Sequence, residues 1–167
     1  MHRSFYCFKN TKNKYYGDLG EIKFSPWHSG QWCIFLYYLS NCLSSQHSDT
    51  ASKVYYLNKM LNNVDLYHEV ELPIVFSLDH PLGSVLGRAI YGNYFSFSQG
   101  CTVGNNKGIY PTIGTNVRML SNSKIIGRSK IGDNAVISAN CYIKDIDVPS
   151  DTIVFGQSPN LTFRKYT

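Results

Sequence analysis

Several things are scarce in this chain, and each scarcity excludes a class. The five cysteines, Cys7, Cys33, Cys42, Cys101 and Cys141, are odd in number and form no CxxC pair. That excludes a zinc ribbon and a fully paired disulfide framework, and leaves free thiols in a reducing compartment. Charge is thin: 16% of residues are charged, and the 16 basic against 11 acidic side chains, net +5, are scattered along the chain. Scattered charge does not build the basic stripe that nucleic acid requires, so no nucleic-acid partner is expected, although an anionic cofactor would satisfy the same surplus. The densest apolar run, WCIFLYYL at 32–39, is too short to cross a bilayer, so no transmembrane segment is expected. The opening MHRSFYCFKNTKNKYY has neither the unbroken apolar stretch nor the small-residue cleavage site of a secretion signal. A cytoplasmic protein is the expectation.

What is present is a globular composition, 43% hydrophobic over 167 residues, enough for one core and a small cap. Residues 1–24 are polar, aromatic and without period, and read as an arm or loose cap. SGQWCIFLYYLSNCL, from Ser29, has apolar residues on most sides and reads as a helix buried on more than one face. SDTASKVYYLNKMLNN offers Ser48, Asp49 or Thr50 as N-cap, with Val54, Leu57, Met60 and Leu61 at helical spacing. An arm and helical cap over 1–64 is the result.

Beyond residue 65 the period changes. Ile113, Met119, Ile125, Ile131, Ile137 and Ile143 follow one another at intervals of six. Six residues turn an α-helix by about 600°, so a helix cannot hold them on one face, and an amphipathic strand would alternate by two. A period of six marks a parallel β-helix, in which six residues make one flat side and a bend and three sides close a coil. Small residues, Ser123, Ser129, Ala135 and Cys141, recur where such a coil turns its corner. The ladder runs backward through Val103, Phe97, Tyr91 and Val85, then, after one extra residue, through Leu78, Leu72 and Leu66. Ten residues separate Val103 from Ile113, so GNNKGIYPT should bulge as a loop. The expected fold is mainly β, a prism of coils over 65–161, with a tail at 162–167.

A solenoid carries function where its repeat is broken. The first break, LDHPLGS, contains His80, which lies outside the inward-pointing set beside Asp79. An imidazole near pKa 6.5 can take a proton from a hydroxyl at neutral pH. A carboxylate that orients the ring would complete the pair. Asp65 lies fifteen residues earlier, close to one coil, and Glu69 and Glu71 are rivals for the role. His68 and His80 lie two sides apart on a three-sided coil and no third histidine joins them in the repeats, so no metal is expected.

VDLYHEVELPIVFSLDHPLGSVLG, FSFSQGCTVGNNKGIYPTIG and KIIGRSKIGDNAVISANCYIKDIDVPSDTIVFGQSPNL together resemble the hexapeptide-repeat acyltransferases, most closely the serine acetyltransferase branch. That branch carries LDHxTG-like, YQGVTLGG-like, DRHPxIG-like and VPxxxxVVGxPA-like elements in the same order. The resemblance implies a left-handed parallel β-helix and a homotrimer binding acetyl-CoA in grooves between subunits. It places His80 on the catalytic base and Asp65 on its partner. It places Asp79 on the acceptor side, where Gln99 and Tyr110 are further substrate-binding candidates. Backbone amides near 104–108 become candidate oxyanion donors, and Gly104, Asn105, Ser121, Asn122, Ser138 and Ala139 fall where the family lays the pantetheine arm. Where the serine enzymes have Arg-His before Pro, this chain has Ile109-Tyr110-Pro111. Ile cannot pair with an amino-acid carboxylate, whereas Tyr110 suits a sugar ring. With a cap of about 65 residues like those of sugar O-acetyltransferases, the expected acceptor is a saccharide hydroxyl in polysaccharide building. Serine O-acetylation and a catalytically silent trimeric scaffold are the alternatives.

Overall fold

The computed structural model describes residues 2–11, 13, 15–16 and 21–166. From Val64 the chain winds as a parallel β-helix of about five turns. Its first face stacks β1 (Val64–Leu66), β3 (Ser84–Leu86), β6 (Thr102–Gly104), β9 (Lys124–Ile126) and β12 (Tyr142–Lys144). The second stacks β2 (Phe76–Leu78), β5 (Phe95–Phe97), β8 (Arg118–Met119), β11 (Val136–Ile137) and β13 (Thr152–Gln157). The third stacks β4 (Ile90–Tyr91), β7 (Thr112–Ile113) and β10 (Lys130–Ile131).

The interior follows from the six-residue ladder. Leu66, Leu86, Val103, Ile125 and Ile143 are in register on the first face, and Leu78, Phe97, Met119, Ile137 and Val154 on the second. All are buried, as are the corner residues Ser123, Ser129, Ala135 and Cys141. Each aliphatic side chain so buried contributes roughly 1.5–3 kcal/mol. One rung differs from expectation: Val85 points outward, 44% exposed, and Leu86 fills the interior. The reason is the size of the first break. In later coils six residues carry the chain from the inward residue of the second face to that of the first, Phe97 to Val103 or Met119 to Ile125, but eight, Leu78 to Leu86, do so here. The insertion is two residues, His80 and Pro81, so the inward position moves from Val85 to Leu86.

Residues 1–24, expected to be irregular, contain α1 (His2–Asn10). The helix forms because Ser4, Cys7 and Phe8 share a face that packs inward; the Cys7 thiol donates to the Phe76 carbonyl (3.2 Å) and Phe8 meets Tyr16 edge-on at 5.4 Å. Next comes α2 (Ser29–Leu43), capped by the His28 ring accepting from the Gln31 amide. It plugs the open end of the prism: the buried Tyr37 hydroxyl donates to the Val70 carbonyl (2.7 Å) and accepts from the Leu72 amide (2.9 Å). Third is α3 (Ser48–Asn62), whose N-cap is His47. Its apolar stripe does not face the core as expected. Met60 and Leu61 are 60% and 58% exposed, while Ala51, Asn58 and Asn62 face inward. Asn58 wins its place by donating to the Cys33 carbonyl of α2 (3.1 Å), and Asn62 donates to Asn58 (2.7 Å). At the other end, the segment expected as a tail lies largely in β14 (Asn160–Lys165), antiparallel to β13. Arg164, on that strand, stacks over the Phe155 ring at 5.6 Å.

Candidate active site

The edge where the second face turns into the first carries most of the residues singled out from sequence. In each coil a left-handed residue makes the bend: Gly83, Gly100, Asn122 and Asn140, with φ of 72°, 66°, 60° and 60°. The bends are tied by Gly100 N–H to Leu82 O (2.9 Å), Asn122 N–H to Gln99 O (2.8 Å) and Asn140 N–H to Ser121 O (2.9 Å). Gln99, Ser121, Asn122, Ser138 and Ala139 therefore line one edge, running upward from the His80 turn. At its foot, His80 is itself left-handed (φ 49°), a conformation that histidine tolerates better than most residues. Its exposed ring has no hydrogen-bond partner among the described residues. Asp79 beside it is also exposed.

Asp65 points outward from β1, in register with Val85. Its carboxylate is held from α3: the Tyr55 hydroxyl donates to Oδ1 (2.8 Å) and Lys59 Nζ to Oδ2 (2.6 Å). The bond to Asp65 raises the Lys59 ammonium, while burial first and Asp65 second raise the Tyr55 hydroxyl. A 160 Å³ cavity beside this cluster is lined by Lys59, Asp65, Gly83, Ser84 and Val85, so it opens at the end of the His80 turn. His80 makes no hydrogen bond to Asp65 here. Two oxygens with about four lone-pair sites leave room for a further donor beyond Tyr55 and Lys59. Of the rivals, Glu69 pairs with Arg88 (2.8 Å) on the far edge of the first face, and Glu71 is exposed. Sequence spacing does not reveal Lys59 and Tyr55. They reach Asp65 because Asn63, left-handed at φ 48°, folds the end of α3 back onto β1.

The second break is a miniature hairpin. Asn106 and Ile109 exchange both backbone hydrogen bonds (3.0 Å each) around Lys107 and Gly108, whose φ of 51° and 78° make a type I′ turn. The Gly108 amide is turned in to the Asn105 side chain (3.3 Å). Of the amides in 105–109, those of Asn105 and Lys107 have no partner among the described residues. Ile109 and Tyr110 stand 53% and 44% exposed beside the turn. The hairpin leaves the prism after β6, at the opposite edge of the first face from His80. Three strand residues separate the two edges, about 10 Å at the usual rise. Within one chain, then, the structure gathers His80, Gln99, Ser121, Asn122, Ser138 and Ala139 on one edge. It sets Gly104, Asn105 and Tyr110 on or beside the other. Among the described residues no group of three His, Cys, Asp or Glu side chains is placed to hold a metal.

Residues 110–145 match the family model "Bacterial transferase hexapeptide (six repeats)". Over 114 residues the chain is 32% identical to a serine acetyltransferase of Synechococcus elongatus, covering 65% of this chain and 46% of that protein. A Staphylococcus epidermidis serine acetyltransferase is 32% identical over 105 residues, covering 60% and 49%. The chain thus spans about half the length of the curated relatives it matches. Among solved structures, Neisseria gonorrhoeae serine acetyltransferase superposes with a TM-score of 0.80 at 23% identity over 99% of this chain and 66% of that one. The same enzyme in complex with serine gives 0.78 at 25% identity over 96% and 68%. These findings overturn the saccharide expectation: relatives and structural neighbours alike are serine acetyltransferases. The inference from cap length fails because all three cap helices lie within the 99% of the chain that superposes. The inference from Ile109 fails because one position does not decide which residue meets an acceptor. Residues 110–145 thus share the hexapeptide pattern of bacterial transferases, and serine acetyltransferases are the proteins to which the chain is similar in sequence and in fold.

Proposed function

We propose that this chain is an acetyl-CoA-dependent O-acetyltransferase whose acceptor is the hydroxyl of serine. The observation that carries the reading is the His80 turn: an exposed imidazole with no hydrogen-bond partner among the described residues, set off the prism by a two-residue insertion, at the foot of an otherwise regular edge. In the reaction, His80 takes the proton from the serine hydroxyl as its oxygen attacks the thioester carbonyl. The carbon–sulfur bond then breaks, and the thiolate of coenzyme A recovers the proton from His80. Asp65 stabilises the imidazolium, and Asp79 faces the acceptor's ammonium. The amides of Asn105 and Lys107 meet the oxyanion. Gly104, Asn105, Ser121, Asn122, Ser138 and Ala139 cradle the pantetheine arm. Gln99 and Tyr110 border the acceptor.

His80 and the hairpin lie on opposite edges of one face, so the complete site needs a second copy whose hairpin approaches this chain's His80. A homotrimer satisfies that geometry for three sites at once. The serine carboxylate needs a cation, and the hairpin supplies one in Lys107, exposed at its tip two residues from Ile109. The test is release of free thiol from acetyl-CoA in the presence of L-serine, with His80→Asn as control. Asn tolerates the left-handed backbone that would strain Ala. A fall in kcat of about 10² is expected for loss of a general base; full activity in this variant removes His80 from the mechanism.

A further inference from the structure

The hairpin's direction is set by a residue far along the chain. Asn106 Nδ2 donates to Asp145 Oδ2 (2.6 Å), bridging 39 residues of sequence and two coils of the prism. The other carboxylate oxygen, Oδ1, accepts the Arg128 amide (3.0 Å), and the Asp145 amide donates to the Ile126 carbonyl (3.1 Å). Both ends of Asp145 are therefore fixed to the coil between. That coil passes beneath the clamp at Gly127, whose amide donates to the Gly104 carbonyl (2.9 Å) at the hairpin's root. Gly127 is left-handed (φ 75°), and a Cβ there would collide with Asp145 Oδ1 and come within 2.8 Å of the Asn106 Cβ. The absent side chain is the gap through which Asn106 reaches Asp145. Consistent with an ionised anchor, the Arg128 amide and the Asn106 side chain hold the Asp145 carboxyl below its ordinary range.

We propose that Asp145 is a positioning residue for acyl transfer: through Asn106 it aims the 106–109 hairpin, and with it Lys107, Tyr110 and the Asn105 and Lys107 amides, at the acceptor. This rests on the reading that the hairpin forms half of the site. A two-residue turn on an exposed loop has little packing of its own, so one charge-assisted bond at its base governs its orientation. A displacement of about 1 Å at a reacting group is enough to cost on the order of 10²-fold.

Four variants of the full chain separate a bond from a charge. Asp145→Ala removes the acceptor, and Asn106→Asp sets two carboxylates face to face. Asp145→Asn keeps the bond, because the Asn106 amide can turn its oxygen to meet the new donor. The double variant Asn106→Asp with Asp145→Asn rebuilds the bond in reverse. For serine, kcat/KM is expected to fall at least about tenfold in Asp145→Ala and Asn106→Asp, and to stay near wild type in the other two. Equilibrium binding of acetyl-CoA, cradled largely on the other edge, should be unchanged in all four. Wild-type kcat/KM in Asp145→Ala overturns the proposal, as does an equal loss in Asp145→Asn or a parallel loss of acetyl-CoA binding. Exchange of the Asn106, Gly108 and Ile109 amides reports the clamp without any turnover: fast in Asp145→Ala, slow in Asp145→Asn. If exchange changes in this way but wild-type protein transfers nothing to serine, the functional reading has failed and the clamp stands. Unchanged exchange means that there is no clamp.

Discussion

The coils above the hairpin and the coils below it are built from the same repeat and behave differently. From Ile113 to Ile143 the interior positions come every six residues, and the small corner residues are buried to the last atom or nearly so. Below Ile113 the interval runs six, six and eight from Leu66 to Leu86, then five, six, six and ten to Ile113. Each lengthened interval carries polar, exposed groups: His80 in the eight, the hairpin in the ten. Regular coils supply a rigid ruler; the proposed chemistry hangs on its interruptions, which the ruler holds in register. Changes in the two halves should therefore separate stability from activity.

The largest expected effect belongs to the regular half. Ile125 is fully buried at the centre of the first face, and Ile125→Ala leaves a cavity among neighbours that the coils above and below prevent from collapsing. A loss of about 2–5 kcal/mol in unfolding free energy is expected from chemical denaturation, with turnover per folded molecule nearly unchanged. In the irregular half the pattern inverts. His80→Asn should cost about 10² in kcat, near 2.7 kcal/mol of barrier, with the denaturation midpoint close to wild type because His80 is exposed and its ring has no hydrogen-bond partner among the described residues. If this variant unfolds as readily as Ile125→Ala, the division between the halves is wrong.

A smaller effect is expected at the hairpin tip. Lys107→Met removes the exposed cation without touching the backbone bonds of the turn. KM for serine should rise about tenfold, the order of one charge-assisted contact, with kcat for saturating serine and acetyl-CoA affinity held. An unchanged KM would move the carboxylate's partner to another side chain, and Lys59, beside the cavity at the His80 turn, is then the next to replace.

How far the sequence is legible follows the same division. The six-residue ladder is read without error through the regular coils, because a slip would expose an aliphatic. It is misread at Val85, since a break of one residue or of two leaves an apolar side chain, Val85 or Leu86, at the inward position, and only the backbone decides. The stripe of Val54, Leu57, Met60 and Leu61 has helical spacing, but spacing does not say which side of α3 finds a partner, and two asparagines bonded toward α2 take the inner side. His80 is visible as a residue outside the ladder. The Lys59–Asp65 pair and the Asn106–Asp145 clamp are not, because each depends on a bend or a coil spacing that places remote residues side by side. The acceptor is misread by resting on Ile109, Tyr110 and the length of the cap.

The smallest effect tests whether the two halves are coupled through Asp145, which sits in the regular half and grips the irregular one. Its carboxyl is held below the usual carboxylate value of 3.8, chiefly by the Arg128 amide and next by the Asn106 side chain. A group whose folded pKa is depressed contributes stability that is fully present above its unfolded value and is lost as pH falls through the folded one. The difference in melting temperature between wild type and Asp145→Asn should thus be constant above about pH 5 and narrow below 3.8 as the wild-type carboxyl takes up its proton. The group is half-buried at the surface of the prism, so solvent keeps the gap small and salt shrinks it further. Protonation also leaves Asp145 a weaker acceptor for Asn106, so protection of the Asn106, Gly108 and Ile109 amides, taken relative to intrinsic exchange at each pH, should fall over the same acid range in wild type but not in Asp145→Asn. A gap that widens toward acid would mean that Asp145 is held by something other than these two donors, and the hairpin would then be aimed by the prism's backbone alone.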